Sequence, residues 1–210
     1  MQRSTHQPLL ECRKCRRLAN QLKRLRESYP DYWNLPVPAT GSAEAGILIV
    51  GLAPGLHGAN RTGVPFAGDD SGKLLQKTLV ELDLVGQVSI TNAVKCLPIK
   101  NLPSSLEVKN CAKYLVYELE RHLHNRNPVV FAMGGVAHRA IIAALALRQI
   151  DYPFSHGAVH LLSDMSLVSS YHCSRYNTHT GRLTPEMFKM ALTKAKALSE
   201  GLLPGNSPHA

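Results

Sequence analysis

Apolar residues gather into short runs separated by amphipathic stretches. AGILIVGLAPG (45–55), VSITNAV (88–94), PVVFAMGG (128–135) and MSLVSSYH (165–172) are apolar or β-branched over the length of a strand, as expected of strands buried on both faces. Between and around them, apolar positions recur every three or four residues: over 11–27, SGKLLQKTLVELDL (71–84), about Leu106 to Asn125, VAHRAIIAALAL (136–147) and about Thr184 to Gly201. These predict helices. Ser71 is the expected N-cap of the helix at 71–84, and Thr184 with Pro185 opens the last one, because a hydroxyl can accept from an orphan N–H and proline lacks one. Pro30, Asn34, Pro36 and Pro38 interrupt regular structure before the first strand. Alternating strands and helices imply an α/β fold whose parallel sheet is covered on both faces and binds ligands at the carboxyl ends of its strands. The long loops 52–70, 95–105 and 172–183 all follow strand ends, so they are expected to converge on one edge of the sheet.

A length of 210 residues suits a single domain over 1–210, with 1–8 and 202–210 read as flexible tails. Lys and Arg number 24 against 15 Asp and Glu, a net charge of +9, which favours a polyanionic partner or an anionic surface without naming one. No run approaches the roughly 20 apolar residues of a membrane span, and MQRSTHQPLLECRKC lacks the apolar core of a signal peptide. A cytoplasmic, non-membrane protein is expected, with a monomer as the default. Five cysteines are present, and Cys12 and Cys15 form a CxxC; in a reducing compartment that spacing favours metal binding over a disulfide, with Cys96 and Cys111 as candidate partners.

The segment GLAPGLHGANRTGVPFAGDDSGKLL (51–75) concentrates glycines, prolines, an aromatic and two carboxylates between a strand and a helix. It is no Walker A loop, since Gly72-Lys73 precedes Leu74, and its glycine spacing is not a dinucleotide fingerprint. The last loop, SSYHCSRYNTHTGRLT (169–184), places His172 at a strand end followed by hydroxyls, amides and arginines.

Taken together, CRKC (12–15), GLAPGLHGANRTGVPFAGD (51–69), ITNAVKC (90–96), Cys111 and SYHCSRYNTHTGRLT (170–184) resemble the type-b, or family-five, uracil-DNA glycosylases over most of the chain. The resemblance implies a three-layer α/β/α sandwich around a central, mainly parallel, four-stranded sheet. It implies a structural [4Fe–4S] cluster on Cys12, Cys15, Cys96 and Cys111; thiolates suit soft iron, and zinc is the rival occupant of a Cys₄ site. It also implies a nucleoid-associated enzyme that hydrolyses the N-glycosidic bond of uracil, and of other deaminated or modified bases such as hypoxanthine and modified pyrimidines, leaving an abasic site with no lyase step. The other function carried forward is a damaged-DNA-binding protein on a catalytically weakened glycosylase scaffold.

Under this resemblance Phe66 stacks on the extruded base. Asn92 reads the base edge through an amide that both donates and accepts, and Gly51 and Ala53 complete the base-binding wall. His172 donates to the departing base, and Asp69, rather than its neighbour Asp70, stabilises the sugar cation or orients water. Arg175, Asn177 and Arg182 are expected to grip DNA, and Asn60 and Arg61 either to join that DNA-facing surface or to stabilise the turn of their loop. The chain departs from the family pattern at Cys173, where proline usually follows the histidine, and that change frees φ and adds an N–H. Leu52 and Ala53 stand where other branches carry a water-activating polar residue, a loss typical of the type-b branch and its broader substrate range.

Overall fold

The computed structural model describes residues 7–203; the expected tails 1–8 and 202–210 lie largely outside them. A one-turn helix α1 (Gln7–Leu10) and α2 (Arg16–Ser28) precede β1 (Ile47–Gly51), a short α3 (Ala59–Thr62) and α4 (Asp70–Glu81). Then come β2 (Val88–Asn92), α5 (Ser105–His122), β3 (Val129–Met133), α6 (Gly135–Ala144), β4 (Val159–Leu161), β5 (Ser166–Ser170), α7 (Arg175–His179) and α8 (Pro185–Ser199). The sheet has five strands in the order β2-β1-β3-β5-β4. β1, β2, β3 and β5 pair in parallel, and β4 runs antiparallel to β5 at the edge.

β4 corrects the expected strand count from four to five. Its sequence Val-His-Leu is three residues long and largely exposed, so it never forms the buried apolar run that marks the other strands.

Alternation along each strand builds the three layers. Ile47, Ile49, Val129, Phe131 and Val168 pack with Leu75 and Leu79 of α4 and Phe188 and Leu192 of α8. Their sequence neighbours Leu48, Val50, Val130, Ala132 and Leu167 pack on the opposite face with Leu115 and Leu119 of α5 and Ile141 of α6. The period of two in side-chain direction makes every residue of β1 and β3 apolar or glycine, because both faces are covered. No helix among the described residues is long and apolar enough to cross a membrane.

Helix ends are set by local chemistry. Ser104 and Glu107 form a reciprocal capping box at α5, and Thr184 caps α8 ahead of Pro185. Ser71, the expected cap of α4, lies inside that helix; Asp69 takes the position, its Oδ1 accepting from the N–H of Gly72 at 2.8 Å. Both side chains can serve as caps, and the carboxylate two residues earlier also meets the helix dipole favourably.

Candidate active site

The carboxyl ends of β1, β2 and β5 open into a cavity of about 340 Å³ lined by residues of all three long loops, among them Leu52, Ala53, Phe66, Asp69, Asn92, Asn101, His172 and Ser174. That volume suits a single small heterocycle. Gly51 and Asn92 are register partners on β1 and β2. A Cβ at Gly51 would collide with the Phe66 ring and with Asn92 Oδ1, so glycine is what lets the ring and the amide close over the strand end. Phe66 has a left-handed backbone, φ 54°, costing about 1–3 kcal/mol at a non-glycine residue. Its carbonyl lies where a Cβ at Gly72 would be, so this second glycine admits the strained turn.

Asn92 is buried, and its Oδ1 has no hydrogen-bond partner. A buried amide oxygen left unpaired costs about 1–3 kcal/mol, and beside a cavity that cost is recovered when a ligand supplies a donor. Asp69 commits Oδ1 to the helix cap. Its Oδ2 lies over the glycine backbone of the first loop, 3.4 Å from where a Cβ of Gly55 would stand and in the space that a Cβ of Gly58 would fill. Asp70 is exposed and pairs with Lys73 at 3.0 Å, away from the cavity lining.

His172 is half-buried beside Phe66, with ring centroids 6.1 Å apart. Burial lowers its pKa below the usual 6.5 against the opposing charge of Asp69, so the imidazole is neutral at pH 7 and can donate without a net charge. Its backbone is pinned on two sides: Asn177 Nδ2 donates to its carbonyl at 2.8 Å, and Gly134, at φ 100°, leaves room for its Cβ. Cys173 is buried, and its thiol donates to the Ser71 carbonyl at 3.3 Å. Its side chain thereby ties the His172 loop to the helix that Asp69 caps; burial first and then the Asp69 charge push this thiol up to about 12.

The residues expected to grip DNA divide. Arg61, Arg175 and Arg182 are exposed, with the Arg182 guanidinium 4.6 Å from the Tyr171 ring centroid. Asn177 faces inward to hold His172. Asn60 does not reach the surface: it is fully buried, and its Nδ2 donates to Asn34 Oδ1 at 2.8 Å. Its expected place on the DNA face is therefore corrected to a role inside the protein. Sequence reasoning also missed Asn101 and Ser174 in the cavity wall. Their loops were flagged, but single polar residues within polar loops carry no signal of their own.

Cys12, Cys15, Cys96 and Cys111 line a second, tight cavity of about 20 Å³ with Leu9, Leu18 and Val94. Asn110 Nδ2 donates to Cys15 Sγ at 3.5 Å and the Lys95 N–H to Cys111 Sγ at 3.2 Å. Burial first, then the neighbouring thiols, push Cys96 up to about 12. Burial likewise raises Cys111 to about 11, so without a cation both stay protonated. Among the described residues no group of three or more such side chains closes on the position of a single ion. Lys95 links the two sites. It is fully buried, its Nζ meets Thr91 Oγ1 at 2.5 Å and both carboxylate oxygens of Glu118 at 2.6 and 2.7 Å, and it holds the stretch between Asn92 and Cys96. A lysine in a strand-end loop reads as exposed, so nothing in the sequence marked it.

Residues 38–196 match the uracil DNA glycosylase superfamily. The chain is 42% identical to the type-5 uracil-DNA glycosylase of Thermus thermophilus over 92% of this chain and 96% of that protein. It is 39% identical to the type-5 enzyme of Pyrobaculum aerophilum over 90% and 89%, and 38% identical to a type-4 uracil-DNA glycosylase of Archaeoglobus fulgidus over 53% and 50%. With its parallel sheet, its strand-end cavity and these relatives, the chain belongs to the uracil-DNA glycosylase superfamily and, within it, to the type-5 glycosylases.

Proposed function

We propose that this protein excises uracil from DNA by hydrolysing its N-glycosidic bond, and that its pocket also admits other deaminated or modified bases. The observation that carries the reading is the convergence of one carboxylate, one neutral imidazole and one unpaired amide oxygen on a cavity the size of a base. A base within a duplex is shielded, so the nucleotide is first extruded into the cavity. Phe66 then stacks on its face, and Asn92 accepts from its imino N–H and donates to a ring carbonyl.

As the bond from C1′ to the base nitrogen breaks, the electron pair leaves with the base and positive charge grows on the sugar. The Asp69 carboxylate stabilises that cation, and His172 donates a hydrogen bond to the base oxygen where negative charge collects. A water oxygen bonds to C1′ and loses a proton to solvent while the base anion takes one up, leaving an abasic sugar and the free base. Leu52 and Ala53 are apolar, so in this reading the carboxylate lining the cavity, Asp69, carries the anionic role. Apolar walls there also impose few hydrogen-bonding demands on the base, which supports a range wider than uracil.

Cys12, Cys15, Cys96 and Cys111 line one small cavity and are the residues that would hold a [4Fe–4S] cluster, with zinc the rival occupant of a Cys₄ set. Such a cluster supplies coordination energy and no open position for catalysis, so its part is structural. The Lys95 N–H donates to Cys111 Sγ and the Asn110 amide to Cys15 Sγ, contacts that would steady these two ligands.

The test is strand cleavage at abasic sites after incubation with a labelled duplex carrying uracil opposite guanine. Wild type should yield cleavable sites, whereas Asp69→Ala and His172→Ala should not. No product from folded wild type on uracil or hypoxanthine duplexes would leave a DNA-binding protein on a glycosylase scaffold.

A further inference from the structure

The segment between α2 and β1 places aromatic side chains on the outer face of the loop that carries Phe66. Tyr29 and Tyr32 stack with centroids 4.8 Å apart. Both meet the exposed His57 edge-on, at 5.9 and 6.1 Å, and the Tyr32 hydroxyl shares a hydrogen bond with His57 Nδ1 at 3.0 Å. Trp33, the single tryptophan of the chain, lies against Gly63, where a Cβ would stand 2.8 Å from its Cδ2. Its Nε1 donates to the Pro36 carbonyl at 3.1 Å, yet the residue remains 37% exposed.

This ledge is held rigidly. Asn34 and Asn60 are both fully buried. Asn34 Nδ2 donates to the carbonyls of Tyr29 at 2.7 Å and Tyr32 at 3.2 Å, and its Oδ1 accepts from Asn60. Main-chain bonds from Trp33 N to Arg61 O at 3.1 Å and from Asn34 N to Asn60 O at 3.2 Å complete the seam. The first loop is thus shared: Gly63 meets Trp33 on the outside, and three residues later Phe66 faces the cavity. His57 sits between Gly55 in the cavity lining and Gly58 beneath Asp69. Two exposed cations border the ledge, Arg26, whose Nη2 reaches the Asn34 carbonyl at 3.2 Å, and Arg61.

We propose that this ledge is a second DNA contact, in which the Trp33 ring receives an unstacked base of the substrate strand beside the extruded nucleotide while Arg26 and Arg61 meet its phosphates. The inference rests on the glycosylase reading, since extrusion is what unstacks the neighbouring base. An indole fixed in place with an open surface offers stacking area at little entropic cost. Stacking a base on an aromatic side chain is sequence-tolerant and worth roughly tenfold to a hundredfold in affinity. Arg26 and Arg61, exposed alongside the carboxylates Glu27 and Asp31, supply the cations that phosphates of the strand would meet.

The experiment titrates wild type with a labelled duplex carrying a non-hydrolysable abasic-site analogue. Anisotropy of the label reads binding, and intrinsic emission, excited at the long-wavelength edge where the seven tyrosines do not absorb, reads Trp33. Emission should change saturably in step with anisotropy. Trp33→Leu should weaken binding by roughly tenfold to a hundredfold, and Trp33→Phe should hold it within about threefold. Saturating anisotropy with unchanged emission would overturn the proposal, and that arm needs no variant to fold. Because this duplex has no base to remove, a protein inactive in the excision assay is still judged here; failure to bind it at all would overturn the glycosylase reading as well.

Discussion

The base cavity and the cysteine corner are joined by one stretch of chain, from Asn92 to Cys96, and are built on opposite terms. The cavity is roomy and keeps polar groups in reserve: the Asn92 oxygen is unpaired and one Asp69 oxygen is free of the helix cap. The corner is closed down to about 20 Å³, packed by Leu9, Leu18 and Val94, with its sulfurs receiving N–H donors. Unsatisfied groups beside a cavity are stability withheld for a ligand, whereas satisfied groups in a tight space are architecture. Damage to the cavity should therefore change rate and selectivity with the fold intact, and damage to the corner should do the reverse.

The largest effect is expected at His172. His172→Ala should lower the single-turnover excision rate by roughly 10²–10³-fold, the scale of one lost donor to a developing anion, with an unchanged unfolding midpoint. The rate in wild type should stay level as pH falls through 6.5, because burial lowers the pKa of this imidazole and keeps the neutral donor in place. A decline centred at 6.5 would mean a solvent-exposed histidine and would contradict the assignment.

Asn92→Ala should reduce the preference for uracil over cytosine by roughly 10–100-fold, the discrimination of one paired amide contact, measured by excision from matched duplexes. Cys111→Ser tests the other region: the unfolding midpoint should drop by roughly 10 °C, as for a loss of about 3 kcal/mol in a chain of this size. Excision per folded molecule should stay within a few-fold, and a rate loss matching that of His172→Ala would erase the division between the regions.

Smaller effects sharpen the picture. His122 is buried, its Nε2 bonding the Val129 carbonyl, and burial lowers its pKa to about 4. The unfolded chain binds a proton near pH 6.5 that the folded protein refuses. Stability is thus complete above 6.5 and should fall by about 3 kcal/mol as pH drops toward 4, a trend His122→Gln should flatten in denaturant titrations. Arg182→Ala should weaken DNA binding a few-fold and reduce the salt slope by about one.

Two buried asparagines show how far the sequence could be read. Asn92 ends a strand, a position that suits a turn cap as well as a ligand contact, and only resemblance to the family led from it to the cavity wall. Asn60 sits in a polar, glycine-rich loop that looked equally exposed, yet it is sealed against Asn34, 26 residues away. Pairing across that separation leaves no trace in local periodicity. β1 and β3 were legible because both their faces are apolar, and β2 and β5 because β-branched or apolar residues recur within them, whereas β4 was not, because an exposed three-residue edge strand has no hydrophobic signature. Asp69 was singled out among the carboxylates only by resemblance to the family; its double service as helix cap and cavity anion needed the fold. Lys95 stayed hidden because Glu118, which pays for its burial, lies on another element.

The most direct measurement is single-turnover excision of uracil by Asp69→Asn, with DNA binding and thermal stability recorded on the same preparation. Asparagine caps helices as well as aspartate does, so the substitution removes the charge and little else. Binding should match wild type and the unfolding midpoint should fall by no more than a few degrees, the scale of one lost charge at a helix N-terminus, with excision slowed by roughly 10²–10³-fold. Excision at the wild-type rate would contradict the account, placing the anion that supports bond cleavage somewhere other than Asp69.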